Sequence, residues 1–200
     1  MTAERVLAAL LVSVLAAGQA AAGDHCASHS PPSRQVRYLK STHRYDLPAV
    51  TLLDQDGRSV PLDAALRQDA PVALNFIFTT CTTICPVMSA TFSALRKTLG
   101  REAGGLELIS ISIDPEHDRP EALKRYARRF GADPAWRFYT GGADDIRRVL
   151  AAFDALAGDK GNHRPITLFR RAHGKEWVRL EGFASSQELA AELREMRAEK

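Results

Sequence analysis

Apolar residues occur along this chain in short runs separated by segments with helical spacing. Residues 72–78 and 106–113 are dominated by apolar side chains, which is typical of strands buried on both faces of a sheet. A helix is predicted over residues 86–99, with Pro86 in its first turn and its apolar residues on one face, namely Val87, Phe92, Leu95 and Leu99. The alternation of strand and helix predicts an α/β fold whose parallel part uses right-handed crossovers.

Turn residues and periodicity place the remaining elements. Residues 50–53 and 59–60 flank the turn sequence Asp54-Gln55-Asp56-Gly57 and are predicted to form an N-terminal hairpin. At the last helix, Ser185 or Ser186 is predicted to cap the N-terminus with help from Glu188. The other predicted elements are a helical turn at 61–68, helices at 119–130, 143–156 and from 186 to the end, and strands at 136–139, 166–169 and 177–180.

The first 22 residues have the pattern of a secretory signal peptide. Residues 6–17 are apolar, residues 20–22 are alanines, and Arg5 places a positive charge before the apolar run. The alternative is an uncleaved anchor, but the run is shorter than the roughly 20 residues that a membrane span needs. Lipidation of Cys26 is a second alternative, although the charged residue before it fits a lipoprotein signal poorly. A periplasmic protein without a stable membrane span after processing is therefore expected.

Composition narrows the classes of function. The chain of 200 residues has 27 basic and 24 acidic residues, and a net charge of +3 is too small to indicate a nucleic-acid partner. Residues 23–43 are polar without a period and are predicted to form a flexible tail, followed by one domain over 44–200. The basic stretch at 124–129 is expected to be a solvated helix face, with docking to an acidic partner as the alternative.

Two cysteines stand between the strand at 72–78 and the helix that follows it. Cys81 and Cys85 lie in the polar sequence Thr79-Thr80-Cys81-Thr82-Thr83-Ile84-Cys85-Pro86. Open α/β sheets place their sites at this end of a strand. If Cys85 begins the helix, the positive end of the helix dipole is expected to lower its pKa and to favour the thiolate.

The number and spacing of the cysteines restrict their chemistry. Cys26, Cys81 and Cys85 are an odd number in an oxidising compartment, so at least one is free, bound to metal or paired with another chain. The spacing of four allows two thiolates on one metal ion, or a disulfide after modest backbone adjustment. Metal binding is favoured over plain disulfide exchange, because thioredoxin-type sites have two intervening residues rather than three. Two inert buried thiols are the remaining alternative.

Histidine is the candidate for a further ligand. His163 stands in the turn before the strand at 166–169. One interpretation is that it completes a Cys2His site suited to copper in either redox state, and the other is that it is a plain surface residue. His117 follows Asp114 at the end of the second strand, where Asp114 either accepts a hydrogen bond from a ligand or caps a turn. The other histidines are His25 and His29, which form a patch with Cys26 on the tail, and His43 and His173, which are expected at the surface.

In combination these motifs resemble the Sco/SenC family. The resemblance rests on the apolar strand with its CxxxCP element, on Ser112-Ile113-Asp114-Pro115, on Thr140-Gly141-Gly142, on the late His163 and on the leading Tyr45-Asp46-Leu47-Pro48. It covers the chain from about residue 45 to the C-terminus. The family implies a thioredoxin-like fold, in which helices flank a central mixed sheet.

The resemblance also implies a site and a role. Carried over to this sequence, the copper ligands are Cys81, Cys85 and His163, and the two cysteines are also a redox-active pair. The family delivers copper, as Cu(I) or Cu(II), or reducing equivalents to the binuclear copper centre of cytochrome c oxidase. The implied partners are the copper-receiving subunit of the oxidase and other copper chaperones or thioredoxin-like reductants. A thiol-disulfide oxidoreductase or peroxidase without a metal role, and a redox or copper sensor, are the competing interpretations.

Three features depart from the family pattern. Residues 157–162 alone separate the third helix from His163, whereas family members often carry a hairpin insertion there. Arg164 and Pro165 follow the histidine, where small or hydroxyl residues are common. Many members also have a membrane anchor in place of the cleavable signal predicted here.

Overall fold

The computed structural model describes residues 37–67 and 69–198, so the predicted signal peptide and the tail to residue 36, with His25, Cys26 and His29, lie outside it. The strands are β1 (Tyr38–Arg44), β2 (Thr51–Asp54), β3 (Ser59–Pro61), β4 (Val72–Ile77), β5 (Glu107–Ser112), β6 (Trp136–Thr140), β7 (Ile166–Arg170) and β8 (Glu176–Gly182). The helices are α1 (Leu62–Ala65), α2 (Ile84–Leu99), α3 (Pro120–Arg129), α4 (Ala143–Ala152) and α5 (Ser186–Ala198), with short 3-10 helices at Gly100–Ala103 and Lys160–Asn162.

The strands form one mixed sheet in the order β1-β8-β7-β4-β5-β6-β2-β3. Strands β4, β5 and β6 are parallel, whereas β7 runs antiparallel to β4 and β8 runs antiparallel to β7. Every residue of β4 is buried, as its continuous apolar run predicts for a central strand. The α/β class, the mixed sheet and the β2–β3 hairpin are therefore confirmed.

Helices cover both faces of the sheet. Side chains of β4 alternate between two apolar clusters, with Ala73 in one and Leu74 in the other, because successive residues of a strand point to opposite faces. The first cluster takes in α2, α3 and α5, and the second takes in α1 and α4. Within residues 37–67 and 69–198, no helix is both long enough and apolar enough to cross a bilayer.

The first strand corrects the predicted extent of the tail. Residues 38–43 were expected to be flexible, yet they belong to β1, which pairs along its whole length with β8. Six of its seven side chains are exposed, so the strand leaves no hydrophobic signal in the sequence. Its backbone ladder is supported by Lys40, whose Nζ lies 2.6 Å from Glu192 on α5.

Helix α2 begins at Ile84, two residues before the predicted start. Val87 was expected on its buried face but is 50% exposed. Phe92, Leu95 and Leu99 are buried as predicted, and Cys85, Met88 and Ser89 take part in the buried face instead of Val87. Cys85 thus belongs to the core side of the helix.

Helix α4 ends at Ala152, four residues before the predicted end. Asp154 adopts a left-handed conformation with φ of 49°, and its N–H donates to the carbonyl of Ala151. The N–H of Ala155 reaches back to the carbonyl of Leu150, which completes a Schellman motif. Glycine normally marks such an end, so its absence here explains why the prediction was too long.

The cap of α5 confirms a prediction. Ser185 donates through N–H and Oγ to Glu188 Oε2, and the Glu188 N–H donates back to Ser185 Oγ. This is the reciprocal pattern of a capping box, with Ser185 rather than Ser186 as the capping residue.

Candidate metal and redox site

The chain turns sharply where β4 ends. The Cys81 N–H donates to the Phe78 carbonyl at 3.2 Å, which closes a turn over Thr79 and Thr80. Cys85 then lies in the first turn of α2. Both cysteines therefore stand at the carboxyl edge of the parallel strands, where the sequence placed them and where α/β sheets hold their sites.

A buried carboxylate fixes this turn. Asp118, which is fully buried, accepts hydrogen bonds from the Thr79 N–H at 3.0 Å and from Thr79 Oγ1. Ser112 Oγ, at the end of β5, donates to the same carboxylate at 2.6 Å. Asp118 therefore ties the cysteine loop to the neighbouring strand. The sequence analysis missed it, although its place four residues after Asp114, in a polar segment following a buried strand, was a usable signal.

Cys85 is fully buried, and this corrects the expectation for its thiol. Its Sγ accepts a hydrogen bond from the Phe78 N–H at 3.4 Å. Burial nevertheless raises the pKa of Cys85 far above the ordinary thiol value, because the low-polarity surroundings disfavour a charged sulfur. Desolvation thus outweighs the helix N-terminus, and Cys85 is a thiol until a metal ion or a base removes its proton.

Cys81 has the opposite character. Its side chain is half-buried, and its Sγ accepts a hydrogen bond from the Cys85 N–H at 3.4 Å, with Thr83 Oγ1 at 3.9 Å. Partial burial acts to raise the pKa of Cys81, but these hydrogen bonds outweigh it and hold the pKa below the ordinary thiol value. Cys81 is therefore the more accessible and more readily ionised sulfur of the pair.

His163 lies beside the buried sulfur. Its Nε2 is 3.5 Å from Cys85 Sγ, and only 4% of the residue is exposed. Its Nδ1 is 3.2 Å from the Lys160 carbonyl, which can only accept, so Nδ1 carries the proton and Nε2 presents a lone pair to Cys85. Burial lowers the pKa of His163, which favours this neutral form. The ring also packs edge-on against Phe78, with centroids 5.4 Å apart.

His117, the other candidate ligand, is 58% exposed through its side chain. Its Nδ1 lies 3.0 Å from Asp114 Oδ1, and the second oxygen of Asp114 receives Lys160 Nζ at 2.6 Å. Burial acts to raise the pKa of Asp114, but its bonds to Lys160 and His117 hold the pKa below the usual value. Asp114 therefore anchors the 3-10 helix before His163. His43 and His173 are exposed, as predicted.

The three predicted ligands converge, but they do not yet form a metal cage. Cys81 and Cys85 are both free thiols, and Cys85 already contacts His163. Within residues 37–67 and 69–198, no three His, Cys, Asp or Glu side chains are arranged to hold an ion together. The donors themselves fit copper, because two soft sulfurs suit Cu(I) and an imidazole adds the nitrogen that Cu(II) prefers. Cys81 is the half-buried member of the three, whereas Cys85 and His163 are buried.

Comparison with known proteins identifies relatives of this chain. Residues 47–194 match the family model described as SCO1/SenC. The SCO1 protein homologue of Bacillus subtilis is 38% identical over 104 residues, which cover 52% of this chain and 53% of that protein. The chain thus spans about half the length of this curated relative.

Solved structures share the fold. BsSco, a member of the Sco family of cytochrome c oxidase assembly proteins in which a disulfide switch was identified, is 29% identical, with a TM-score of 0.66 over 81% of this chain and 99% of that one. ScoI of Bradyrhizobium japonicum, solved with copper bound, is 25% identical, with a TM-score of 0.59 over 74% of this chain and 98% of that one.

Proposed function

Because this chain belongs to the SCO1/SenC family, we propose that it is a periplasmic copper carrier that assists assembly of the binuclear copper centre of cytochrome c oxidase. The observation that carries the proposal is the 3.5 Å approach of His163 Nε2 to Cys85 Sγ, beside a second accessible thiol. The copper bound to ScoI and the assembly role named for BsSco support it. The proposed partner is the oxidase subunit that receives copper.

In this proposal copper is cargo, held by Cys81, Cys85 and His163. Copper supplies the soft Lewis acid that displaces the Cys85 proton, since the high pKa of Cys85 keeps the metal-free thiol protonated. Cys85 and His163 form the buried side of the site, and Cys81 forms the accessible side. Ligand exchange with a partner thiolate therefore begins at Cys81. The two thiols must be reduced to bind copper, so an oxidised pair carries none.

Anaerobic titration of the reduced protein with Cu(I) tests the proposal. We expect one Cu(I) per chain, and loss of tight binding in Cys81→Ser and in Cys85→Ser, because one sulfur cannot hold Cu(I) against a thiol competitor. Cys26→Ser is the matched control and should bind as the wild type does. A wild-type protein that takes up no copper would contradict the proposal.

A second function is favoured by the asymmetry of the two sulfurs. An accessible Cys81 with a lowered pKa and a buried, protonated Cys85 suit the reduction of a partner disulfide. The Cys81 thiolate attacks one partner sulfur, which forms a mixed disulfide and releases the other sulfur as a thiolate. Cys85 then gives its proton to His163 Nε2 and attacks Cys81 Sγ, which releases the second partner sulfur as a thiolate. The pair is oxidised to a disulfide as the partner is reduced by two electrons.

The two functions predict different results on the same samples. A disulfide reductase without a metal role reduces a peptide disulfide while the titration shows no copper uptake. A copper carrier binds one equivalent whether or not it reduces the peptide. The disulfide switch named for BsSco supports the redox chemistry of the pair.

The proposed location rests on the segment predicted to be a signal peptide. We infer that cleavage after residue 22 releases a chain that starts at Gly23. Mass spectrometry of the exported protein should therefore show residues 23–200. An intact Met1, or a lipid on Cys26, would overturn this proposal.

A further inference from the structure

A groove of about 220 Å³ lies between α3 and the turn that carries Cys81. Its walls are Thr79, Ala122, Arg125, Tyr126 and Arg129. Thr79 stands two residues before Cys81 and is held in place by Asp118. The groove therefore adjoins the turn that leads into Cys81.

Tyr126 forms the buried part of the groove. Tyr126 is 5% exposed, and its hydroxyl lies 2.9 Å from Ser89 Oγ on α2. Burial raises the pKa of Tyr126, and the nearby sulfurs of Cys85 and Cys81 act in the same direction, which agrees with its place next to the pair. Because the buried Tyr126 hydroxyl is uncharged, the charge of the groove comes from Arg125 and Arg129.

The arginines are available to a partner. Arg125 and Arg129 are four residues apart and so lie on the same face of α3. Both are exposed, and in the part of the chain from 37 to 67 and from 69 to 198 neither guanidinium takes part in an ion pair or hydrogen bond. Arg129 contacts the Phe130 ring, 5.8 Å from its centroid, which leaves the guanidinium N–H groups free to donate. By contrast, the neighbouring Lys124 is paired with Asp56 at 2.7 Å. The buried carboxylate near the groove, Asp118, is occupied by Thr79 and Ser112.

We propose that this groove is the docking surface for an acidic segment of the polypeptide that exchanges copper or electrons with Cys81. Carboxylates of the segment pair with Arg125 and Arg129, and this places a partner sulfur beside Cys81. Two guanidiniums that have no carboxylate partner among the described residues and line one concave surface match paired carboxylates in charge. The inference rests on the proposed function and names the partner surface that the site requires.

A copper-free reaction tests the docking separately. Two synthetic peptides carry one cysteine as its 2-thiopyridyl disulfide, flanked by glutamates in one peptide and by lysines in the other. The Cys81 thiolate attacks the peptide sulfur, a mixed disulfide forms and pyridine-2-thiolate leaves, which is followed by its absorbance. In the reduced Cys26→Ser protein at low ionic strength, we expect the glutamate peptide to react about tenfold faster, and added salt to reduce the difference.

Single charge reversals locate the effect. Arg125→Glu and Arg129→Glu should each remove most of the preference for the glutamate peptide. Arg128→Glu is the matched control, because it reverses the same charge on the same helix at an exposed residue outside the groove. The neutral reagent 2,2′-dipyridyl disulfide should react at the same rate with every variant, which shows that Cys81 itself is unchanged.

Two results would overturn the docking surface. One is equal rates for the two peptides in the parent protein, and the other is an Arg128→Glu effect as large as that of Arg129→Glu. If the peptides react equally while phosphatidylglycerol vesicles sediment the parent protein but not Arg125→Glu or Arg129→Glu, the groove binds lipid headgroups instead. If the protein prefers the glutamate peptide but takes up no copper in the titration, the docking surface is supported and the copper function is refuted.

Discussion

Lys160 Nζ lies 2.6 Å from Asp114 Oδ2, and this ion pair joins the 3-10 helix before His163 to the end of β5. The Lys160 carbonyl also receives the proton of His163 Nδ1. One residue therefore fixes both the position of the loop and the tautomer of the ring. The ion pair and the hydrogen bond of Lys160 thus hold the loop before His163 and the ring itself.

Lys160→Met should weaken Cu(II) binding several-fold and leave Cu(I) binding almost unchanged. The substitution releases the loop, and Cu(II) depends on the imidazole more than Cu(I) does. Competition titrations with each ion measure both effects. Lys175→Met, an exposed lysine between β7 and β8, is the control and should change neither. An equal loss for both ions would indicate general damage to the fold rather than release of His163.

The same ion pair predicts a pH dependence of stability. The pKa of Asp114 in the folded protein lies below its ordinary value of 3.8, so the pair stabilises the fold above that pH and is lost as the pH falls through the folded pKa. Asp114→Asn should therefore lower the free energy of unfolding at about pH 6 but not at about pH 2. Urea unfolding at the two pH values measures the difference. A deficit of the same size at both would show that Asp114 acts through its shape and not its charge.

His163→Ala should keep weakened Cu(I) binding and lose the sulfur-to-copper charge-transfer absorption of the Cu(II) form. Two thiolates satisfy Cu(I), whereas stable Cu(II) needs the added nitrogen. Visible spectra of the copper-loaded proteins test this. His117→Ala is the control, because that exposed ring bonds to Asp114 and should leave the spectrum unaltered. An unaltered spectrum in His163→Ala would exclude His163 as a ligand.

Cys81 should react with iodoacetamide at least about tenfold faster than Cys85. Cys81 is half-buried with a pKa below 9.0, whereas Cys85 is fully buried and protonated. Mass spectrometry of peptides from the briefly treated Cys26→Ser protein measures both rates. The Cys81 rate should reach half its maximum below pH 9.0, since the thiolate is the reacting form. Equal labelling of the two cysteines would refute the asymmetry.

Asp118→Ala should lower the free energy of unfolding by about 1–3 kcal/mol, because it leaves the half-buried Thr79 N–H and the buried Ser112 hydroxyl without their acceptor. It should also speed the alkylation of Cys85, since the loop that covers this sulfur is released. Glu116→Ala, at an exposed site in the same segment, should do neither. If Asp118→Ala lost stability while Cys85 stayed as protected as in the wild type, Asp118 would not position the cysteine loop.

Much of the site was already determined by the sequence. The apolar run of β4 identified a central strand, and the position of Cys81 and Cys85 after it followed from where parallel strands end. The capping box at Ser185 was also predictable, since it depends on residues three apart. These features are local, so a short stretch of sequence contains all the interactions that produce them.

Tertiary structure alone decided the chemistry of the individual groups. Cys85 and His163 are 78 positions apart in the sequence, and they meet because β7 lies next to β4 in the sheet. The same packing buries Cys85 and reverses the pKa shift expected from its place at a helix N-terminus, because desolvation of a buried sulfur exceeds the effect of the helix dipole. Strand β1 likewise forms because β8 offers a free edge, and its polar residues give no periodic signal of it. The pattern of the sequence shows which residues prefer burial. The order of the strands decides which of these buried groups become neighbours, and strand order depends on interactions along the whole chain.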